Sequence, residues 1–100
     1  MRKINPEAVR EKFIVAQANV ISQLKASDPS VEEFSDEWLR PEGGGGRTCA
    51  FSEGKFIEKG GVNFSDVEGR HLPPSALANR PELTGAAFRA MGVSVVFHPL

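Results

Sequence analysis

The apolar run from residue 93 to residue 98 carries two side chains that can take part in chemistry, Ser94 and His98. Because side chains alternate between the faces of a strand, their spacing predicts that both lie on one face, about 13 Å apart. A serine nucleophile must contact its general base, so this separation excludes a Ser–His catalytic pair. It allows two contacts with one large ligand, or a hydroxyl on substrate and an imidazole on a metal or proton-transfer partner. The alternative is a solvated histidine and a serine bonded to backbone or water.

Four other residues have reactive or ligand-binding side chains. Cys49 lies in an apolar segment with no neighbouring base, which is typical of a buried core thiol. Arg47 and Arg80 can each clamp a carboxylate through two N–H groups, or can be ordinary surface arginines. His71 lies in a proline-rich loop, where a solvated side chain is expected.

Composition excludes several classes of protein. The chain has 100 residues, one domain at most, and a net charge of −1 with scattered lysines and arginines. No basic patch for nucleic acid or for a membrane surface is present. Its single cysteine forms no intramolecular disulfide or thiolate metal cluster. No apolar run is long enough to cross a membrane and the N-terminus does not read as a signal peptide, so we expect a cytoplasmic protein.

The clearest structural element is a helix over residues 5–25. Asn5 can cap it, Pro6 suits its first position and Glu7 favours its positive end. Apolar side chains at helical spacing predict the face that packs on a core. This stripe consists of Val9, Phe13, Ala16, Val20, Ile21 and Leu24, and the predicted polar side of Arg10, Glu11, Gln17 and Asn19.

The rest of the chain indicates strands and turns. A turn at 28–30 and a possible helical turn at 31–34 precede a first strand near Trp38. Segments 48–51 and 55–58 predict a hairpin around a glycine-bearing loop, and 62–67 reads as a strand after a break or bulge at Gly60 and Gly61. Residues 69–74 are expected to form a loop. A short second helix over 81–91, ended by Gly92, leads to a final strand at 93–98. The predicted class is α+β, a partial antiparallel sheet with the two helices packed on it.

The four-glycine run 43–46 has several interpretations. It lacks the glycine–lysine spacing of a phosphate-binding loop. A flexible linker, a turn or bulge, or a place where another backbone or a ligand comes close would each explain it. Composition favours a linker or turn.

Several blocks of sequence together carry a family resemblance. They are Trp38, EGGGGR at 42–47, FIEKGGVNFS at 56–65, LPPSA at 72–76, RPEL at 80–83 and MGVSVVFHP at 91–99. The chain resembles oxygen-dependent coproporphyrinogen III oxidase over most of its length, and the bacterial form in particular.

The resemblance implies an oxidoreductase of haem (porphyrin) biosynthesis. Members of the family use molecular oxygen for the oxidative decarboxylation of two propionate groups of coproporphyrinogen III. The two propionates become vinyl groups, and the product is protoporphyrinogen IX. The implied fold is a large flat antiparallel sheet with helices on both faces, in a homodimer. By the same resemblance Ser94 contacts the tetrapyrrole substrate, and His98 is a ligand of a divalent metal, with manganese suspected.

The sequence also departs from the family pattern. Family members are much longer, and the Asn-Pro and histidine block expected after Pro99, with the proton-donor histidine and further metal ligands, is not part of this sequence. We therefore expect residues 1–100 to be the N-terminal portion of a coproporphyrinogen oxidase domain, with little activity alone and no catalytic residue in this span. The alternatives are a non-catalytic tetrapyrrole-binding or dimerisation module, and a small metal-binding protein centred on His98.

Overall fold

The computed structural model describes residues 4–70, 74–78, 80–85 and 87–99. A long helix is followed by three strands, two short helical segments and a fourth strand. In chain order these are α1 (Pro6–Ser27), β1 (Glu32–Leu39), β2 (Gly44–Ser52), β3 (Ile57–Gly69), α2 (Pro74–Leu77), a 3₁₀ turn (Pro81–Leu83) and β4 (Phe88–Pro99). The residue His71, expected to be solvated, lies outside the described residues.

Helix α1 begins where the sequence predicted. The Asn5 side-chain oxygen accepts a hydrogen bond from the Glu7 N–H at 3.1 Å, which satisfies one of the free donors at the helix start. Pro6 occupies the first turn, where no N–H is required. The helix continues to Ser27, and the Asp28 N–H donates to the Leu24 carbonyl at 3.0 Å. The predicted helix is therefore confirmed, with two more residues at its end.

The four strands form one antiparallel sheet in the order β1-β2-β3-β4. Consecutive strands are neighbours: short loops join β1 to β2 and β2 to β3, whereas the connection from β3 to β4 holds α2 and the 3₁₀ turn. The predicted hairpin joins β2 and β3, with Glu53 at a positive φ of 58° in its loop. Hydrogen bonds from the Glu53 N–H to the Glu58 carbonyl and from the Gly54 N–H to the Ile57 carbonyl close this loop. The predicted α+β class with a partial antiparallel sheet is confirmed.

The core lies between α1 and one side of the sheet. Its buried apolar members are Leu24, Cys49, Phe51 and Val62, with Val20, Ile21, Val31, Ile57 and Val93 packed around them. Cys49 is fully buried, so the prediction of a core thiol is confirmed. Because alternate residues share a face, the burial of Val62 and Phe64 places the odd-numbered neighbours Asn63 and Ser65 on the other side.

The predicted polar side of α1 is wrong at two positions. Gln17 is only 3% exposed, and its Nε2 donates to the carbonyls of Arg47 and Val62, each at 3.0 Å. Arg10 also faces the sheet, with its guanidinium 5.5 Å from the centre of the Phe64 ring. The polar residue types of Gln17 and Arg10 predicted exposure to solvent. In the structure, strand carbonyls accept hydrogen bonds from the Gln17 amide, and the Phe64 ring packs against the Arg10 guanidinium.

Three predicted boundaries are also wrong. Residues 32–34 belong to β1 and add no helical turn. Strand β3 runs without a break through Gly60 and Gly61, and its register shifts between Ile57 and Lys59 instead. The expected helix over 81–91 is limited to the turn Pro81–Leu83, and Met91 and Gly92 are inside β4. Pairing with β3 along twelve residues of β4 outweighs the helical spacing of Phe88 and Met91.

The two short segments α2 and Pro81–Leu83 contact each other rather than the described strands. The expectation that a second helix packs on the sheet is therefore not met by them. Residue 74 begins α2, whereas the sequence predicted a loop there. Across the described ranges, no helix combines the length and the apolar character needed to span a membrane.

Candidate functional site

The sheet has two unlike sides. The helix face carries α1 and the core residues Cys49, Phe51 and Val62. The opposite side, which we call the open face, carries Thr48 on β2, Asn63 on β3, and Ser94 and His98 on β4. In the described part of the chain α1 contacts β3 and β4 from the helix face, and no helix packs on the open face. A ligand can therefore approach Ser94 and His98 from the open face.

Ser94 and His98 share this face, as their spacing predicted. Strand pairing sets Ser94 opposite Asn63 and His98 opposite Lys59 on the neighbouring strand β3. Val62 and Phe64 point to the helix, so Asn63 and Lys59 point away from it together with Ser94 and His98. Four residues of strand separate the hydroxyl from the imidazole, about 13 Å.

Ser94 has a polar neighbour that the sequence analysis did not single out. The Asn63 side chain donates from Nδ2 to Ser94 Oγ at 3.4 Å, a long contact between adjacent strands. Asn63 Oδ1 is shielded from solvent and is the buried side-chain polar atom that has no hydrogen-bond partner among the described residues. On the other side of β3, Thr48 of β2 lies opposite Asn63. Thr48, Asn63 and Ser94 therefore form a polar row across three strands.

His98 by itself does not make a metal centre. A divalent ion of the kind that histidine binds is held by three or four protein ligands. No group of three or more histidine, cysteine, aspartate or glutamate side chains suited to a metal ion occurs within the described ranges. The residue opposite His98 is Lys59, a cation that disfavours a second positive charge nearby. The described residues therefore do not fit a complete metal site.

Arg47 and Arg80 are not brought to the open face as a pair. Arg47 shares the helix face with Cys49, and it lines a groove of about 760 Å³ between α1 and strands β1, β2 and β3. Glu37, Leu39 and Phe64 line the same groove. Arg80 precedes the short turn and forms an ion pair with Glu82. That ion pair lowers the pKa of Glu82. The groove is therefore separated from Ser94 and His98 by the thickness of the sheet.

A charged cluster joins the start of α1 to the sheet on the helix face. Arg89 donates to both carboxylate oxygens of Asp66, at 2.9 and 2.8 Å, and Arg10 donates to the same carboxylate at 3.1 Å. The Arg89 guanidinium, followed by that of Arg10, lowers the pKa of Asp66 despite its burial. Asp66 and Glu7 raise the pKa of Arg89 in turn. Each charge of this cluster has a partner, so the cluster is a structural contact between α1, β3 and β4.

The glycine run is a place of close backbone approach. A Cβ atom on Gly46 would lie 2.2 Å from the Phe64 carbonyl oxygen and 2.6 Å from the Trp38 ring. Gly43 and Gly44 have positive φ angles of 120° and 87°, which only glycine adopts readily. The run forms the turn into β2 and three residues of that strand, so the turn interpretation and the close-approach interpretation both hold and the flexible-linker interpretation is wrong.

Residues 8–100 match the protein family described as coproporphyrinogen III oxidase. The chain belongs to this family. The match covers nearly the whole sequence, including Asn63, Lys59, Ser94 and His98. Membership in the coproporphyrinogen III oxidase family identifies the chain with oxidoreductases of haem biosynthesis, whose substrate is a tetrapyrrole. The open face of this coproporphyrinogen oxidase chain carries Ser94 and His98, the two residues that the sequence analysis singled out.

Proposed function

We propose that this chain provides one wall of the substrate site of an oxygen-dependent coproporphyrinogen oxidase. In that reaction two propionate side chains of coproporphyrinogen III become vinyl groups. Each conversion releases carbon dioxide and transfers two electrons to molecular oxygen. The observation that carries the proposal is the position of Ser94 beside Asn63 on the open face of the sheet, in a chain of this family.

The role proposed for Ser94 is to bind a substrate oxygen. A serine hydroxyl donates one hydrogen bond, and a carboxylate accepts such bonds strongly. The side chain is exposed on the open face of β4. The open face leaves room for a broad macrocycle on one side of Ser94, where Gly92 lies on the same strand and Ser65 lies opposite it. Ser94 is therefore a substrate-binding residue in this proposal, and the chemical step is assigned to no described residue.

We also propose that this wall is incomplete. A substrate with four carboxylates requires several cationic or N–H groups around it. Of the described open-face residues on β3 and β4, Lys59 and His98 are the basic ones. We propose that residues 1–100 are one portion of a larger oxidase domain that works as a homodimer in the cytoplasm, and that they turn over little substrate alone.

His98 has two candidate roles. In the first it is one ligand of a divalent metal such as manganese, with its other ligands outside the described residues. In the second it acts with Lys59, directly opposite on β3, to hold a carboxylate of the substrate. The cation beside the imidazole favours the second role. Fluorescence titration with coproporphyrin III separates them, because the second role predicts that Lys59→Ala and His98→Ala each weaken binding, whereas the first predicts that Lys59→Ala leaves it unchanged.

A binding experiment tests the proposed site directly. Coproporphyrin III, the stable oxidised form of the substrate, is titrated into the chain and followed by its fluorescence. Ser94→Ala is expected to weaken binding about tenfold, because one hydrogen bond to a charged group is lost. Ser35→Ala is the matched control, since Ser35 contacts Cys49 on the helix face. Absence of any tetrapyrrole binding, or equal effects of the two changes, would contradict the proposal.

Turnover is tested separately. The chain is incubated with coproporphyrinogen III under air, and protoporphyrin fluorescence is measured after oxidation of the product. Little or no product is expected from residues 1–100. Turnover as fast as that of a complete family enzyme would disprove the proposal that these residues are only one wall of the site.

A further inference from the structure

We infer that Asn63 is a positioning residue, which keeps the Ser94 hydroxyl free to donate a hydrogen bond to a ligand carboxylate. The inference rests on the proposed function, in which Ser94 contacts a tetracarboxylate. Asn63 and Ser94 are paired positions on adjacent strands, and the amide nitrogen of Asn63 is 3.4 Å from Ser94 Oγ. Both residues, and the hydrogen bond between them, lie on the open face.

The direction of this hydrogen bond decides what Ser94 can do. A serine hydroxyl has one proton to donate and two lone pairs that accept. When Asn63 Nδ2 donates to Ser94 Oγ, the serine proton stays available for another acceptor. If the amide oxygen faced Ser94 instead, the serine proton would be used within the sheet. The orientation of one amide group therefore sets whether Ser94 meets a carboxylate as a donor.

In this orientation the side-chain oxygen of Asn63 is left without a hydrogen bond to any described residue. Its Oδ1 is shielded from solvent without a partner among the described atoms, on the central part of β3 between β2 and β4. Gln17, which has the same amide chemistry, donates to two strand carbonyls on the helix face. A buried polar atom left without a partner is uncommon, and such atoms occur at functional or strained sites. The contact between Asn63 and Ser94 provides that explanation.

The test replaces the donor by an acceptor. In Asn63→Asp both side-chain oxygens accept, so the Ser94 proton is captured and a negative charge is added near the ligand. Ser65→Asp adds the same charge on the same face of β3, two residues away and opposite Gly92 instead of Ser94. The probe is coproporphyrin III in fluorescence titrations at neutral pH. We expect Asn63→Asp to weaken binding about tenfold more than Ser65→Asp does.

A double-mutant cycle separates positioning from a general structural effect. In the Ser94→Ala background no hydroxyl proton remains to be captured, so Asn63→Asp and Ser65→Asp are expected to weaken binding equally. Asn63→Ala, a second variant, leaves the Ser94 proton free and is expected to weaken binding less than about threefold. Circular dichroism confirms that each variant is folded before titration.

The possible failures are distinguishable. If the unchanged chain binds coproporphyrin III and the two aspartate variants lose equal affinity in both backgrounds, the inference about Asn63 is wrong and the proposed function stands. If the unchanged chain does not bind coproporphyrin III, the proposed function is wrong and the role of Asn63 is lost with it.

Discussion

Asp28 is a buried carboxylate that joins the end of α1 to the β2–β3 hairpin. It is 1% exposed, and one of its oxygens accepts hydrogen bonds from the N–H groups of Phe56 and Ile57, at 2.9 and 3.0 Å. Its other oxygen accepts from Ser30 Oγ at 2.6 Å. The hydrogen bond from Ser30, and then those from the two backbone N–H groups, lower the pKa of Asp28 to about 2 against the opposing effect of burial.

This pKa predicts an acid-dependent loss of stability. Because the folded-state pKa lies below that of the unfolded chain, ionised Asp28 stabilises the fold above about pH 4. That contribution is lost as the pH falls toward about 2. Urea unfolding measured across this range is expected to show a shallower pH dependence for Asp28→Asn than for the unchanged chain. Asp36→Asn, at an exposed position of β1, is the control and is expected to change neither stability nor its pH dependence.

Gln17 has a comparable structural role in the middle of α1. Its Nε2 bridges a carbonyl of β2 and a carbonyl of β3. Gln17→Met keeps the length of the side chain and removes both donors, so we expect it to lower the free energy of unfolding by about 1–3 kcal/mol. Gln23→Met makes the same change at an exposed helix position and is expected to have little effect. Equal stabilities of the two variants, measured in urea, would show that the bridge contributes nothing.

At the scale of whole elements, the glycine run determines how closely β1, β2 and β3 approach. Gly46 leaves no room for a methyl group between the Phe64 carbonyl and the Trp38 ring, whereas Gly92 has no heavy atom within 4 Å of a built Cβ. Gly46→Ala is therefore expected to destabilise the chain by about 1–3 kcal/mol through strain. Gly92→Ala, also in a strand, is expected to be neutral or slightly stabilising. Thermal unfolding followed by circular dichroism compares the two, and equal melting temperatures would contradict the close approach.

At the scale of the whole molecule, β4 is an edge strand with one free side among the described strands. Strand β4 pairs only with β3 among the described strands, and its last residues include Val95, Val96 and Phe97, with exposed fractions of 42%, 52% and 45%. An exposed apolar edge recruits another strand or another chain.

Self-association is the expected consequence. Light scattering of residues 1–100 should show a mass that rises with concentration. Val96→Lys, which adds a charge to the edge, is expected to reduce that mass, because edge lysines oppose strand pairing. Val15→Lys, at an exposed position of α1, is the control and should leave association unchanged. A single monomeric mass at all concentrations would contradict this prediction.

Local sequence signals predicted the elements that depend on near neighbours. The cap at Asn5, the helix that follows it, the hairpin between β2 and β3 and the alternation around Val62 are all confirmed. The helical spacing at Phe88 and Met91 misled, because a short amphipathic pattern cannot show that a partner strand lies alongside. Residues 32–34 were wrongly predicted as a helical turn for the same reason, because their local pattern does not show that β2 lies alongside them.

What the sequence by itself determined is the family, the α+β class and the shared face of Ser94 and His98, since these follow from motif order and strand periodicity. The tertiary structure alone decided that Gln17 is buried and that Asn63 lies beside Ser94 with an unpartnered oxygen. These contacts join residues 30 to 45 positions apart. Strand register creates such neighbours, and register depends on the packing of the whole sheet against α1.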